Sequence, residues 1–459
     1  MTSKFPWTLL SSLQCPYCGS GLHVSVKLTA SATGMTNGTL RCDCYEYPVI
    51  HGIAVLRQMS PVSSIENGAV QSLRSGNAEG AFRWLLGAGS VPGVASPRGF
   101  SVSAARGHRL IRKARDFLRR SVESPPDAHT LQAEGFAAAL SRLRPPGYAD
   151  YLFQRFANPS FLGALPPLLV LGETCKHRPR RRLLDLLCGV GHSSAMIKSA
   201  CPDIEVMMAD MDFVNLCIAR RYLAPDAPAL CLDVELPLPL RDDAIDAVFC
   251  LDGLHYVRSK TALAKELDRV LGPDGAWLFA HMHNAKRDNV NPGVPLDSEG
   301  YSQRFAFGHW RMLPESEILR QFRADGSLDL VRQPPAAAVD SSHALTLIGA
   351  RTDELWRLHA GLDTALTRRP QLLEFNPLYR VERTPDGVLA MADWPSDALR
   401  RECAEPAPLL GETVHVSAKT LEEIATARAG GGLSGEVRTL LRSFVLVPLP
   451  ECYPRTGLS

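Results

Sequence analysis

A short apolar run that ends in an acidic residue and a glycine turn constrains the fold of this chain most. It covers Leu183–His192, with the sequence LLDLLCGVGH, and the helix-compatible segment Ser193–Ile197 follows it. A buried parallel strand ending in a glycine turn at a helix N-terminus is how α/β folds hold nucleoside-bearing ligands. Glycine lets the backbone approach the ligand, and the helix N–H groups point towards it. Because such a loop recurs in many proteins, the downstream sequence must identify the ligand.

Further strands are predicted downstream, in the order expected of a parallel sheet. The second and third strands end in acids, at Asp210 and Asp233. The fourth is Ile245–Cys250, and a helix over 262–271 separates it from the fifth strand, Ala276–Ala280. A carboxylate after the second strand can accept hydrogen bonds from both ribose hydroxyls of a bound cofactor. The pattern predicts a Rossmann-like α/β sheet.

In this order and spacing, the features resemble the class I S-adenosylmethionine-dependent methyltransferases. The matching segments cover about residues 180–285 and include the loop, the two acids, LHYV at 254–257 and ELDRVLGPDG at 266–275. The resemblance implies a seven-stranded sheet, with Asp185 at the methionine end of the cofactor, Asp210 at the ribose and Asp233 at the adenine amine. The cofactor-binding residues that it implies are Asp185, Leu187, Gly189, Gly191, Asp210, Met211, Asp233, Val234 and Leu251.

Leu187 departs from the family pattern, which usually has glycine or alanine at this first position of its G-x-G-x-G loop. A branched side chain there crowds the closest approach to the cofactor. We interpret the change as tolerated, although it leaves open a degenerate copy without activity.

The candidate catalytic residues follow the fourth and fifth strands, where ligands of α/β sheets bind. They are Asp252, His255, His281 and His283. The sulfonium is already a strong electrophile, so positioning supplies most of the acceleration, and a base is needed only if the acceptor must lose a proton. The two histidines of the fifth strand would lie on one side of an extended chain. A general-base or hydrogen-bonding pair is favoured over a metal-binding pair, and an ordinary structural role stays open.

Four cysteines near the N-terminus form a second motif. Cys15 and Cys18 are followed by Cys42 and Cys44, and close cysteine pairs on adjacent hairpins make a tetrahedral zinc site. The segment 10–57 resembles the small zinc-binding domain of methyltransferase activator proteins, although C-x-C replaces the more usual C-x-x-C. We expect one structural zinc, with a metal-free remnant as the alternative. As a separate ribbon domain, it would lose its metal without affecting cofactor binding.

The fold class predicted is α/β, a Rossmann-like seven-stranded methyltransferase sheet with an N-terminal zinc ribbon and a C-terminal α+β appendage. The predicted domains are 1–58 (zinc ribbon), 59–125 (linker and basic amphipathic helix at 104–120), 126–350 (methyltransferase) and 351–459 (α+β accessory domain). Segments 328–331 and 344–348 are predicted as the last two strands of the sheet. Helices before the first strand are expected to cap the site, with lid candidates Tyr148, Tyr151, Phe153, Arg155 and Phe156.

Composition favours an intracellular enzyme. Lys and Arg total 50 against 48 Asp and Glu, which gives no global nucleic-acid signature. No signal peptide or membrane span is expected, so a cytoplasmic location is predicted. The leading hypothesis is methylation of a specialised small molecule or modified peptide, with a protein partner possible through the ribbon or the appendage. The alternatives are an rRNA or tRNA methyltransferase, because two basic segments are present, and a non-catalytic scaffold for a partner enzyme.

Overall fold

The computed structural model describes residues 4–57, 64–88, 135–289, 293–366, 372–394, 397–403, 405–428 and 432–453. The strands in these residues are β1 (Phe5–Pro6), β2 (His23–Ala30), β3 (Gly34–Arg41), β4 (Glu46–Ile50), β5 (Ile53–Val55), β6 (Arg182–Leu186), β7 (Glu205–Asp210), β8 (Ala229–Cys231), β9 (Ile245–Leu251), β10 (Leu271–His283), β11 (His309–Pro314), β12 (Leu328–Asp329), β13 (Ala344–Ala350), β14 (Leu358–His359), β15 (Leu372–Phe375), β16 (Tyr379–Thr384), β17 (Gly387–Ala392), β18 (Thr413–Ser417) and β19 (Leu446–Leu449). The α-helices are α1 (Trp7–Leu10), α2 (Ser64–Arg74), α3 (Ala78–Ala88), α4 (Phe136–Leu143), α5 (Pro146–Phe153), α6 (Pro159–Cys175), α7 (His192–Ala200), α8 (Phe213–Ile218), α9 (Lys260–Val270), α10 (Ser298–Phe305), α11 (Glu315–Asp325), α12 (Ala336–Ser341), α13 (Leu362–Ala365), α14 (Asp397–Glu402), α15 (Ala418–Arg428) and α16 (Gly435–Arg442).

Seven strands form the central sheet, in the order β8-β7-β6-β9-β10-β13-β11. Neighbours from β8 to β10 are parallel, whereas β13 is antiparallel to both β10 and β11. The central strands are buried on both faces, as their near-continuous apolar sequences require. The Rossmann-like α/β prediction is therefore confirmed, and the carboxyl ends of β6, β7, β9 and β10 meet at one edge of the sheet.

The prediction for the sixth strand of this sheet was wrong. The edge strand is β11, which pairs with β13 over six residue pairs. The predicted segment 328–331 instead contributes the short strand β12, which pairs with β14 in a separate two-stranded sheet. Both segments are short and mix apolar with charged residues, so the local pattern could not show which of them lies beside β13.

The N-terminal segment that contains β1–β5 is joined to the central sheet and does not form a separate domain. Strand β5 pairs in parallel with β8, so that β1–β5 extend the sheet to twelve strands. Arg220 adds a second link, since its guanidinium donates to the carbonyls of Gly52 at 2.6 Å and Lys4 at 3.2 Å. The expectation of an independent ribbon ending at residue 58 does not agree with this topology. The apolar strand Ile53–Val55, fully buried in the sheet, accounts for the difference.

Part of the segment predicted as linker is helical. Helices α2 and α3 pack on each other and on β4, and they bury Leu73, Phe82 and Leu85. The ring of Phe82 lies edge-on to His51, with centroids 4.8 Å apart. A short helix expected at 81–86 within the linker corresponds to α3, whereas α2 is not predicted because Ser, Gly and Asn dominate the surrounding composition. The basic helix predicted at 104–120 lies outside the described residues.

The C-terminal part contains short sheets and helices that pack on the cap, the helices that precede β6 and cover the central sheet. Strands β16, β17 and β18 form one antiparallel sheet, and β15 pairs with β19 in another. The β16–β17 hairpin turns at residues 384–387, where the sequence signals a turn. Within the described parts of the chain, none of the helices has the length and apolar character needed to cross a lipid bilayer.

Candidate active site

The glycine loop after β6 has the backbone shape that a closely approaching ligand requires. Gly189 and Gly191 have φ of 55° and 84°, in the left-handed region that favours glycine. A Cβ on Gly191 would lie 3.0 Å from the Cβ of Ala219, so a side chain there would displace the helical turn behind the loop. Leu187 also has a positive φ, 59°, which for a branched residue is strained.

Asp185 is the acid at the end of β6, and its carboxylate accepts a hydrogen bond from the Ser194 hydroxyl at 2.7 Å. Only 2% of the residue is exposed. Burial raises the pKa of Asp185 to about 7, and this outweighs the lowering by the Ser194 hydrogen bond. The group is thus poised to change its charge when a cationic ligand arrives.

Asp210 at the end of β7 links the strand to the glycine loop. Its two carboxylate oxygens accept from the main-chain N–H groups of Gly189 and Asp212, each at 2.8 Å. An ionised carboxylate has about four acceptor positions, so capacity for ribose hydroxyls remains. Burial raises the pKa of Asp210 to about 6, although the N–H of Asp212 acts against the shift.

The remaining predicted cofactor residues lie at neighbouring strand ends. Met211 directly follows β7, Leu251 is the last residue of β9, and both are half-buried. Asp233 and Val234 come two and three residues after β8, where the Asp233 carboxylate accepts from the N–H of Glu235 at 2.9 Å. The structure therefore brings the predicted set to one edge of the sheet.

The cap before β6 contacts these loops through polar side chains. Arg144, at the end of α4, donates to the carboxylate of Asp212 at 2.8 Å and to the amide oxygen of Asn215 at 2.6 Å. A ring nitrogen of His192, the first residue of α7, lies 2.9 Å from the carbonyl of Leu152 in α5. Burial and then Arg155 lower the pKa of His192 to about 3, so the ring is neutral and donates in this contact.

Asp252, just after β9, is the centre of a buried polar cluster. One of its oxygens, Oδ2, accepts from the Tyr151 hydroxyl at 2.8 Å and lies 3.1 Å from Nη2 of Arg155. The other, Oδ1, lies 3.8 Å from Nε2 of His255 and 4.0 Å from Nε2 of His281. Burial acts to raise the pKa of Asp252, but Arg155 and then the nearby histidines hold it well below its usual range. The carboxylate is therefore ionised.

The three predicted histidines lie together beside this carboxylate. The rings of His255 and His283 are stacked, with centroids 3.7 Å apart, and His281 meets His283 edge-on at 5.5 Å. His281 Nδ1 lies 2.5 Å from Oε2 of Glu315, the buried first residue of α11. Burial and then the neighbouring His283 lower the pKa of His255 well below its ordinary value. The predicted catalytic set is thus assembled, with Glu315 as an addition.

Sequence reasoning missed Glu315 and Arg144, and it identified Tyr151 and Arg155 only as lid candidates. Glu315 lies 34 residues after His281 and reaches it through tertiary packing against α6, where Gly163 leaves room for its side chain. No spacing rule joins these positions. Of the lid candidates, Tyr151 and Arg155 contact Asp252, whereas Phe153 and Phe156 pack against Tyr453.

The four N-terminal cysteines converge at one point. Cys15 Sγ lies 3.6 Å from Cys44 Sγ, and Cys42 Sγ lies 3.5 Å from Cys44 Sγ. One sulfur from each of the four cysteines lies within 4.8 Å of the others, and none is in a disulfide. Sulfurs bound to one zinc at about 2.3 Å are roughly 3.8 Å apart, so the spacing fits a tetrahedral ion. Cys42 Sγ and Cys15 Sγ also accept main-chain N–H groups, as metal-bound thiolates do.

Comparisons with known proteins agree with this geometry. Residues 184–279 match the family described as "Methyltransferase domain". The chain is similar to demethylmenaquinone methyltransferase of Thermus thermophilus, with 38% identity over 30% of this chain and 66% of that protein. It is also similar to malonyl-[acyl-carrier protein] O-methyltransferase of Laribacter hongkongensis, with 31% identity over 24% of this chain and 39% of that protein. A solved structure of a putative sarcosine dimethylglycine methyltransferase from Galdieria sulphuraria aligns with 14% identity over 41% of this chain and 84% of that one (TM-score 0.30).

These curated relatives are matched over less than two thirds of their own length. Together with the strand order and the glycine loop, the matches identify residues 184–279 as a methyltransferase domain of the class I, S-adenosylmethionine-dependent type.

Proposed function

We propose that this protein transfers the methyl group of S-adenosylmethionine to a specialised small molecule or a modified peptide. The observation that carries the proposal is the arrangement at the sheet edge. A glycine loop with two buried acids, Asp185 and Asp210, lies beside a second polar cluster around Asp252. The first part suits the cofactor, and the second lies at the carboxyl ends of the next two strands, where an acceptor would be held.

Each cofactor residue has a role in this proposal. Asp185 pairs with the cationic methionine end, and Asp210 accepts from the ribose hydroxyls. The glycines at 189 and 191 let the methionine part of the cofactor approach the main chain. Asp233 accepts a hydrogen bond from the adenine amine, and the neighbouring apolar residues pack on the adenine rings. Leu187 narrows the loop, and its side chain packs towards Gly253, where an added Cβ would come within 2.9 Å of its Cδ1.

A small-molecule acceptor agrees with the relatives, whose names refer to demethylmenaquinone and to a malonyl group on acyl-carrier protein. These acceptors differ widely, so the names support the class of reaction more than a particular compound. On the acceptor side we assign Asp252, His255, His281 and His283, which surround one buried position. An acceptor with an ionisable oxygen would find polar partners there.

Two arginines of the basic run at 176–182 are engaged within the protein, so this part of the run gives the RNA alternative less support. Arg178 donates to the Thr352 hydroxyl at 2.9 Å and pairs with Glu354, while Arg182 pairs with Glu205 at 2.7 Å. Arg178 and Arg182 are both under 9% exposed. Guanidinium groups engaged within the protein are not available to phosphates.

A structural zinc at Cys15, Cys18, Cys42 and Cys44 is part of the proposal. The sulfur separations support it, and four thiolates leave no open position for a substrate. The ion would stabilise the end of the sheet that β1–β5 form.

Calorimetry with S-adenosylmethionine and its demethylated product tests the cofactor assignment. Asp210→Ala is expected to weaken binding by about 1.5–3 kcal/mol, the scale for losing a charged hydrogen-bond acceptor. Asp203→Ala, an exposed acid just before the same strand, is the matched control and should leave binding unchanged. Absence of binding to the intact protein at millimolar cofactor would overturn the enzyme proposal and leave a scaffold role.

A further inference from the structure

Three side chains with metal-ligating atoms converge at the carboxyl ends of β9 and β10. One ligand atom from each of Asp252, His281 and His283 lies within 4.8 Å of the other two. They project from the ends of the adjacent strands β9 and β10, and the two imidazoles are under 5% exposed. We propose that Asp252, His281 and His283 bind one divalent transition-metal ion, which coordinates an oxygen of the methyl acceptor. The acceptor part rests on the proposed methyl transfer, whereas the metal site stands independently of it.

The two oxygens of Asp252 have separate surroundings. Oδ2 is occupied by the Tyr151 hydroxyl and the Arg155 guanidinium, which fix the plane of the carboxylate. Oδ1 lies on the histidine side, 4.0 Å from Nε2 of His281. This distance is too long for a hydrogen bond, so the two atoms are not bonded to each other directly. One oxygen is therefore anchored and the other is directed at the proposed site.

His281 is oriented by Glu315 in the manner of a metal ligand. Its Nδ1 lies 2.5 Å from the Glu315 carboxylate, which leaves Nε2 directed towards Asp252. Metal-ligating histidines commonly donate their second ring N–H to a carboxylate, which fixes the tautomer and raises the basicity of the ligating nitrogen. A glutamate that is 2% exposed and paired to this one ring fits that role.

The local backbone holds these groups in place. Asp252 and His281 have φ of 55° and 51°, and the pairing of β10 with β13 is irregular between Phe279 and Met282. Strained residues and bulges cluster at functional sites, where they re-aim side chains. Here both lie at the proposed ligands, so that the strand end turns its imidazoles towards Asp252.

Charge and geometry indicate the kind of ion. The cluster contains two carboxylates, of Asp252 and Glu315, and one guanidinium, that of Arg155. The two carboxylates outnumber the one guanidinium, so the cluster can accept the charge of a cation. Nitrogen and oxygen ligands at about 2.0–2.2 Å suit manganese, iron, cobalt or zinc. Two such ligands on one ion are roughly 3–3.5 Å apart, so the three atoms, which lie within 4.8 Å of one another, would move inward on binding.

Three protein ligands leave open coordination positions, as in catalytic metal sites. An acceptor hydroxyl, enolate or carboxylate oxygen could occupy one of them, and coordination makes a bound hydroxyl more acidic. His255, stacked on His283, borders the same space. The proposal thus assigns the acceptor an oxygen close to the atom that is methylated.

Titration of the full-length, zinc-loaded protein with Mn²⁺, followed by electron paramagnetic resonance, tests the site. Mn²⁺ binds carboxylate oxygens in preference to thiolates, and the cysteine site is already filled by zinc, so that site does not compete for it. We expect saturable binding of one Mn²⁺ per chain. His283→Ala should abolish it, and Glu315→Gln should weaken it about 10–100-fold by releasing His281. His359→Ala removes another buried histidine, one that contacts the carbonyl of Leu355, and should leave Mn²⁺ binding unchanged.

Two results would overturn the proposal. One is the absence of saturable binding of Mn²⁺, Co²⁺ or Zn²⁺ beyond the cysteine site. The other is equal affinity in His283→Ala, His359→Ala and the parent protein. Near-ultraviolet circular dichroism checks that each variant is folded, and Glu315→Gln, which keeps the size of the side chain, still gives a result if His283→Ala does not fold. Binding of the demethylated cofactor, measured separately, shows whether a failure concerns the metal site or the methyl-transfer proposal.

Discussion

The side chain of Leu187 fills the space next to Gly253. A Cβ on Gly253 would lie 2.9 Å from Cδ1 of Leu187, closer than such atoms approach in real structures, and 3.0 Å from its Cβ. The departure from the family's glycine at 187 is thus matched by a glycine on the adjacent strand end. The branched side chain is accommodated beside β9, which lets the loop keep its left-handed turn at the cost of strain.

This relationship predicts a compensating pair of substitutions. Gly253→Ala should destabilise the protein by about 1–3 kcal/mol, the usual cost of overpacking. Leu187→Gly should be nearly neutral, since relief of about 1–2 kcal/mol of left-handed strain offsets the lost packing. In the double variant the cost of Gly253→Ala should largely disappear, as measured by urea unfolding of all four proteins. Simple addition of the two single effects would show that the side chains do not compete for this space.

Cofactor affinity is expected to depend on pH through Asp185 and Asp210. Their pKa values are raised to about 7 and about 6, and the ionised forms are the ones that pair with the cofactor. The affinity should therefore be highest above pH 7. It should fall by about tenfold per pH unit below 7 and more steeply below 6. Calorimetry with the demethylated product between pH 5 and 8 measures this.

Asp185→Asn provides the control for that dependence. The variant should bind weakly at pH 8 and lose the upper of the two steps, because its side chain cannot ionise. An affinity that stays constant from pH 8 to 5 in the parent protein would contradict the assignment of both acids.

Removal of zinc is expected to destabilise the central sheet as well as the N-terminal strands. Strand β5 pairs with β8, and Asp233 lies two residues after β8, so loss of the metal site removes support from the adenine end. This reverses the sequence-based expectation that chelation spares cofactor binding. Chelation or Cys18→Ser should lower the unfolding temperature of the whole chain and weaken cofactor binding. Cys452→Ser, outside the cysteine cluster, should do neither. Two separate thermal transitions would support an independent ribbon domain if the transition that the cofactor stabilises stays at the same temperature after chelation.

The elements predicted best are those whose sequence is determined by local burial. Strands β6, β7 and β9 begin and end within about two residues of the prediction, because each is an apolar run buried on both faces. Asp252 and His281 were assigned to one site for a topological reason: the carboxyl ends of neighbouring parallel strands meet.

What the sequence could not show depends on contacts between distant segments. Glu315 reaches His281 only because α11 packs on α6, and β5 joins β8 across more than 170 residues. Neither contact leaves a periodic signal. The edge position of β11 has the same origin, since a strand of ordinary composition is placed by its partner β13 and not by its own residues.

Tyr453 links the C-terminal part to the cap over the cofactor loop, which yields a final prediction. Its hydroxyl donates to the carbonyl of Phe153 at 2.8 Å, and its ring contacts those of Phe136, Phe153 and Phe156. Phe156 in turn meets His192, which begins the helix after the glycine loop, with centroids 4.8 Å apart. A chain of ring contacts therefore runs from the C-terminal part to the cofactor loop.

Tyr453→Ala should destabilise the protein by about 3–5 kcal/mol and weaken cofactor binding, because the rings under it lose their packing. Tyr453→Phe keeps the ring and should cost only about 1 kcal/mol, the contribution of one hydrogen bond. Tyr379→Phe is the matched control: the Tyr379 hydroxyl is buried and has no hydrogen-bond partner among the described residues, so its removal should be neutral or stabilising. Urea unfolding gives the free energies, and calorimetry gives the affinities. Equal effects of the two Tyr→Phe changes, or an unchanged cofactor affinity in Tyr453→Ala, would show that the C-terminal part does not support the cap.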